Sequence, residues 1–163
     1  MDSDRRTILG IDPGLEITGY GLIEVSGARA VLLDAGTIRT KRSSPLPDRL
    51  LELYDGLLGV IDTFRPCMMG MEAIYSHYAH PATAIVMGHA RGVLCLAAAS
   101  RGVPVTTLPA TMVKKLVVGN GRAGKEQVAG MVRHLLGIRS EVKPADVTDA
   151  LAMAIAVMEY GGR

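Results

Sequence analysis

The chain opens on a short apolar run, Ile8-Leu9-Gly10-Ile11, that halts at Asp12-Pro13-Gly14. Proline cannot donate to a ladder and glycine supplies a turn, so the run predicts a buried strand that stops there. Tyr20 to Val25 and Ala30 to Arg39 predict two more strands, joined at Ser26-Gly27 in a meander. From Pro47 to Phe64 the period changes. Leu50, Leu51, Leu53, Tyr54, Leu57, Leu58 and Ile61 recur at spacings of three and four, the stripe of an amphipathic helix that Arg65-Pro66 ends. Cys67 to Ile74 is apolar but for Glu72, which suits an interior strand. A helix from about His80 to Ser100, a strand from Pro104 to Leu108, and helices at Ala110 to Val118, Lys125 to Leu136 and Pro144 to Tyr160 follow. Between the last three helices, the glycines of the 119–124 segment predict a mobile loop. The order βββαβαβααα, with no repeat or linker, predicts an α/β fold: one sheet with helices on its faces.

Composition narrows the class. With 163 residues, 48% of them hydrophobic and 21% charged, the chain has the size and the apolar content of one self-sufficient domain covering residues 1–163. Eighteen basic against 16 acidic residues leave a formal charge of +2, too little to coat nucleic acid by bulk charge, so any polyanion site is local. Cys67 and Cys95 sit in apolar surroundings without CxxC spacing, and no secretory leader pattern opens the chain; a reducing cytoplasm is expected. The stretch Ile85 to Ala99 is interrupted by His89 and Arg91, so no membrane span is expected.

Four carboxylates occupy places that packing does not require. Asp12 ends the first strand and Glu72 lies near the end of the fourth, while Asp146 and Asp149, three apart, share one face of the last helix. If the first and fourth strands are neighbours, the last helix can bring its first turn above them and the four acids meet. Asp-Pro-Gly is also a common turn, and Asp146 with Asp149 also suits a helix cap. Glu72 carries the argument, because an unpaired charge in an apolar strand demands a partner. Clustered carboxylates resist joint ionisation without a cation, and hard oxygen ligands suit Mg²⁺ or Mn²⁺. Two such ions roughly 3.5–4 Å apart stabilise both the attacking and leaving oxygens of a phosphodiester, so metal-assisted hydrolysis is the chemistry expected.

Ile8 to Gly14, Thr18-Gly19-Tyr20-Gly21, Gly88-His89-Ala90-Arg91-Gly92, Val117-Val118-Gly119 and Ala145 to Ala152 together closely resemble the RuvC-type Holliday junction resolvases, in order over almost the whole chain. The resemblance implies a ribonuclease H-like fold with a mixed five-stranded sheet, and a homodimer that makes Mg²⁺-dependent paired nicks in a four-way DNA junction alongside RuvA and RuvB. The family's catalytic, metal-holding acids fall on Asp12, Glu72, Asp146 and Asp149. Its junction aromatic falls on Tyr75, and its substrate lysines on Lys114 and Lys125.

Independently, Lys114, Lys115, Arg122 and Lys125 gather around the glycine-rich segment, where cations can follow a phosphate backbone. His77 and His80 lack the further ligands of a zinc site and read as loop residues. Ala84, Gly88 and Gly92 recur every four residues along the long helix and leave a groove for another backbone. Packing on the chain's own sheet explains that stripe equally well; the resemblance favours a dimer interface. Three other functions compete. An ATPase of the actin and sugar-kinase class needs a second lobe that this length does not supply; a pure junction binder has no use for four acids beside phosphate; a nuclease for RNA needs a reader of the 2′-hydroxyl, for which the sequence offers no candidate.

Overall fold

The structure, a computed structural model, describes residues 5–73 and 81–161; Tyr75, His77 and His80 lie outside them. Strands β1 (Arg5–Asp12), β2 (Ile17–Ser26) and β3 (Arg29–Arg39) form the antiparallel meander. Helix α1 (Leu46–Phe64) leads to β4 (Met68–Glu72), α2 (Pro81–Ser100) to β5 (Val105–Leu108), and α3 (Ala110–Val118), α4 (Lys125–Leu136) and α5 (Ala145–Gly161) close the described chain. The five strands lie in the order β3-β2-β1-β4-β5, with β4 parallel to β1 and β5 parallel to β4. This is the mixed five-stranded sheet flanked by helices that the sequence predicts.

Strand alternation divides the core between two faces. Leu9, Ile11, Leu22, Met69 and Met71 point toward α1 and α2, where Leu53, Leu57, Ala90 and Leu94 meet them. Ile8, Ile23 and Val25 point the other way, toward α5, whose residues from Val147 to Val157 are nearly all buried. On this second face Gly21, Gly10 and Gly70 stand side by side across β2, β1 and β4. A Cβ on Gly10 would overlap the Ala150 carbonyl oxygen and stand 2.6 Å from the Ala154 nitrogen, while one on Gly21 would lie 2.5 Å from Leu151. Bare backbone at this row is what lets α5 lie directly on the sheet.

Several expectations need correction. The fourth strand ends at Glu72 rather than Ile74, and Glu72 is exposed, so the buried unpaired charge argued from the apolar run is not there. The segment read as a mobile loop is tied into turns. Gly119, at φ 82°, ends α3, Asn120 accepts hydrogen bonds from the backbone of Arg122 and Ala123, and buried Ala123 anchors the segment to the core. Helix α2, finally, has 20 residues and a best-window mean hydropathy of 1.5, enough by length and composition to cross a membrane. Its alanine, valine and leucine content outweighs Arg91 and His89, a balance that inspecting interruptions alone misses. The same composition serves a helix of which one side packs on α1 and the sheet, through Ala90, Leu94, Ala97 and Ala98.

Candidate active site

All four acids line one cleft, of about 460 Å³, at the end of the sheet where β1 and β4 stop. The parallel register pairs Ile11 with Met71, so Asp12 and Glu72 follow as neighbours, on the face that carries α5. Asp12 is held by the turn after it. The buried Thr18 hydroxyl donates to the Gly14 carbonyl at 2.5 Å and accepts the Gly14 amide at 3.1 Å, closing the Asp-Pro-Gly corner from β2. Asp146 arrives from above, because a side chain on Gly19 would overlap the Asp146 carbonyl and α5 can therefore settle its first turn beside β2. Asp146 is the second residue of α5, inside the helix rather than at its cap position, and one turn on Asp149 faces the same cleft. The positive end of the helix dipole favours acids there.

The electrostatics record how crowded these carboxylates are. Burial pushes the Asp12 carboxyl up from 3.8 to about 7, helped by the charges of Asp149, Asp146 and Glu72 and opposed by Lys125. Burial also raises Asp149, with Asp146 adding to the rise and Lys125 and Lys114 working against it. Glu72 is raised by burial and by Asp149, and lowered by Arg91, Lys114 and Lys125; it is the most exposed of the four, and water screens its share. Burial first, and the negative charge of its neighbours second, thus favour the protonated form of Asp12. The donor set, carboxylate oxygen alone, fits a hard divalent cation. Among the described residues no three acids close into a tight ligand shell; they ring an open cleft, as mutually repelling carboxylates do.

The predicted cations divide. Lys114 and Lys125 line the cleft with the acids, whereas Lys115 and Arg122 are exposed and are not part of its wall. A larger depression, of about 980 Å³, adjoins it through Lys125, Ala145 and Asp149 and runs past Arg133 and Lys143. On α2, Gly88 and Gly92 are exposed, and a Cβ on either would meet nothing within 4 Å among the described residues. Neither glycine packs on the sheet or on α1. Ala84 is half-buried, and Ile85 and Leu96 are 62% and 59% exposed on the same helix. Sequence reasoning assigned no role to Gly10, Gly19, Gly70 or Thr18, although glycine inside a strand is itself a signal of close backbone approach.

Comparison with known proteins agrees with this geometry. The family model for crossover junction endodeoxyribonuclease RuvC matches residues 8–157. The chain is 51% identical over 148 residues to a crossover junction endodeoxyribonuclease RuvC of Rhodopirellula baltica, an overlap covering 91% of this chain and 83% of that protein. It is 42% identical over 160 residues to the RuvC of Desulforamulus reducens, covering 96% and 98%. Among solved structures, Thermus thermophilus RuvC in complex with a Holliday junction substrate superposes with a TM-score of 0.91 at 34% identity, covering 96% of this chain and 94% of that one. The yeast mitochondrial Holliday junction resolvase, 16% identical with a TM-score of 0.68, shares the fold.

Proposed function

The chain belongs to the RuvC family of crossover junction endodeoxyribonucleases, and on that premise we propose that Asp12, Glu72, Asp146 and Asp149 are the catalytic, metal-holding residues with which it resolves four-way DNA junctions. The observation that carries the assignment is the convergence of all four acids on one cleft together with the rise of Asp12 to about 7. Bound among these carboxylates, Mg²⁺, or Mn²⁺ in its place, with two ions per site, would activate water and neutralise the leaving oxygen. The chain's own part is orientation. Two strand ends and one helix turn fix the four carboxylates, and Thr18 locks the corner that carries Asp12. Lys114 and Lys125 place positive charge in the same cleft, where a scissile phosphate would otherwise meet only repulsion. The adjoining depression offers the strand a way out past Arg133 and Lys143.

One gel tests the reading: a four-way junction, a linear duplex and an RNA–DNA hybrid, each incubated with Mg²⁺ and with EDTA. Symmetric nicks in the junction alone, and only with Mg²⁺, are the expected result. Equal cutting of duplex or hybrid contradicts it. Lys114→Ala and Lys125→Ala are each expected to weaken junction binding and to make the slope of log K against log[salt] shallower by about one unit, the signature of one lost phosphate contact. An unchanged slope in a salt titration would leave these lysines as solvated side chains.

Paired nicks need two linked sites, and the exposed stripe of α2 supplies the surface for a homodimer. Because a Cβ at Gly88 meets nothing within 4 Å among the described residues, Gly88→Leu is expected to preserve the protomer while blocking close helix approach. Light scattering should then report monomers, with paired nicking lost before single nicking; a stable dimer places the interface elsewhere. Tyr75, after Glu72, is proposed to stack at the junction crossover. RuvA and RuvB are proposed as partners, the cytoplasm as the compartment, consistent with the free Cys67 and Cys95, and residues 1–163 as one nuclease domain.

A further inference from the structure

Strand register brings a basic turn to the catalytic end of the sheet. Asp12 pairs with Gly19 and Gly19 with Thr37, so β3 passes level with Asp12, two strands away, and then runs on to Arg39. The chain continues through Thr40, Lys41 and Arg42 before α1 begins at Leu46. Ile38 is buried on the face that carries α1, so alternation turns Arg39 to the other face, where Asp12 and α5 lie. Neighbouring strands stand about 4.8 Å apart, which starts the turn roughly 10 Å to the side of Asp12, on the flank away from β4 and Glu72.

The backbone of this turn is fixed and its charges are not. Thr40 is buried; its hydroxyl donates to the Leu15 carbonyl at 2.5 Å and accepts the Nε–H of Arg49 at 3.1 Å, while its amide donates to the Glu16 carbonyl at 3.1 Å. The Lys41 amide donates to the Glu52 carboxylate at 3.0 Å, and the Lys41 carbonyl accepts the Ser44 amide at 2.9 Å. The turn is thereby tied directly to the segment that leaves Asp12. Arg39, Lys41 and Arg42 are all exposed, and among the described residues their side chains meet one acid, Glu16, which stands 4.0 Å from Arg42 with both groups largely in water. So long and wet a pair holds neither partner. Three cations within four residues repel one another, and the fold makes no structural use of them.

We propose that Arg39, Lys41 and Arg42 form a second DNA-binding surface, which takes backbone phosphates of the uncut strand in the arm that the acids nick. The proposal rests on the nuclease reading and adds to it a contact with a strand other than the one cut. Distance selects that strand. The grooves of B-form DNA are about 6 and 12 Å wide, so a turn starting roughly 10 Å from Asp12 meets backbone across a groove from a phosphate seated among the acids. A turn already fixed by Thr40 gives up little backbone entropy on binding, and each arginine fork matches two phosphate oxygens at once. Such contacts position the duplex without reading its sequence.

The test measures junction affinity in EDTA across a salt series for the parent and for a variant carrying Arg39→Gln, Lys41→Gln and Arg42→Gln together. Each is given the plain junction and two others in which neutral methylphosphonate linkages replace phosphates near the nick, in the cut strand or in the uncut strand of the same arm. The variant should melt near the parent, since the three side chains are exposed, yet bind the plain junction at least tenfold more weakly, with a salt slope shallower by about two to three units. Neutral linkages in the uncut strand should weaken the parent and leave the variant nearly unchanged, whereas those in the cut strand should weaken both alike. Parental slope and affinity in the variant overturn the proposal. So does an equal loss in parent and variant on neutralising the uncut strand, which would mean that the turn touches other phosphates or none. Should the combined variant fail to fold, Arg39→Gln and Arg42→Gln alone decide by the same criteria, with about one unit of slope expected from each. A parent that binds no junction refutes the nuclease reading, and the proposal falls with it.

Discussion

Without divalent metal, the folded protein loses stability as pH rises from about 4 to about 8, and Asp12→Asn removes most of that loss. The sign follows from linkage: Asp12 titrates near 3.8 unfolded and at about 7 folded, so the folded state holds its proton more tightly. Stability is full below the unfolded value and falls as pH climbs through the folded one. A rise of about three units corresponds to roughly 4 kcal/mol as an upper bound. Glu72 and Asp149, also raised, add in the same direction. Asparagine keeps the shape and carries no charge, so chemical denaturation of Asp12→Asn in EDTA should give a much shallower profile over this range, with a residual slope from Glu72 and Asp149. Mg²⁺ should restore stability to the parent at pH 8 far more than to the variant, since a ligand stabilises in proportion to its affinity for the folded state. A parent whose metal-free stability is flat from pH 5 to 8 would show that burial and the neighbouring carboxylates do not raise Asp12 as described.

The largest structural effect is expected at Gly10. The Cβ of Gly10→Ala would overlap the backbone carbonyl of Ala150 and crowd the Ala154 nitrogen, and neither atom can rotate away. Relief requires lifting α5 off the sheet, which is expected to cost roughly 3 kcal/mol or more, the upper range of overpacking. The same displacement carries Asp146 and Asp149 away from Asp12, so nicking should fall even where the protein remains folded. Gly70→Ala provides the comparison: its Cβ meets the side chains of Val157 and Met153, which can shift, and a smaller loss is expected. Gly88→Ala, facing open space, should change melting little. Urea denaturation that ranks the three variants otherwise would mean that α5 does not rest on the glycine row.

These two variants also mark what the chain discloses when read alone. The strand and helix order was legible because its periods are clean; Asp12 and Glu72 stood out because each lies at or near the end of an apolar run, and Asp146 and Asp149 because a spacing of three puts them on one helical face. Glu72 does line the cleft, but not as the buried charge that singled it out, since its strand stops one residue beyond Met71 and leaves it exposed. The glycine row was missed because its members are far apart in the chain and meet only through strand register. Glycines in the 119–124 segment suggested freedom, yet the backbone amides of Arg122, Ala123 and Gly124 donate to oxygens of Asn120 and Gln127 and tie it down. Arg91 read as an interruption of an apolar helix; only its packing shows that it is buried. Lys114 and Lys115 are adjacent, and helical geometry sends only the first into the cleft.

The most direct measurement compares the parent with Asp12→Asn, Glu72→Gln, Asp146→Asn and Asp149→Asn on one end-labelled four-way junction in Mg²⁺, reading binding on a native gel and nicking on a denaturing one. Each substitution keeps side-chain shape and removes one negative charge from the same cleft. If the four acids hold the metal that drives hydrolysis, every variant binds at least as tightly as the parent, because repulsion of phosphate is reduced, and nicks at least a hundredfold more slowly, the order of effect expected when a group acting on the transition state is removed. Any one of the four nicking at the parental rate while bound to the junction would contradict the account.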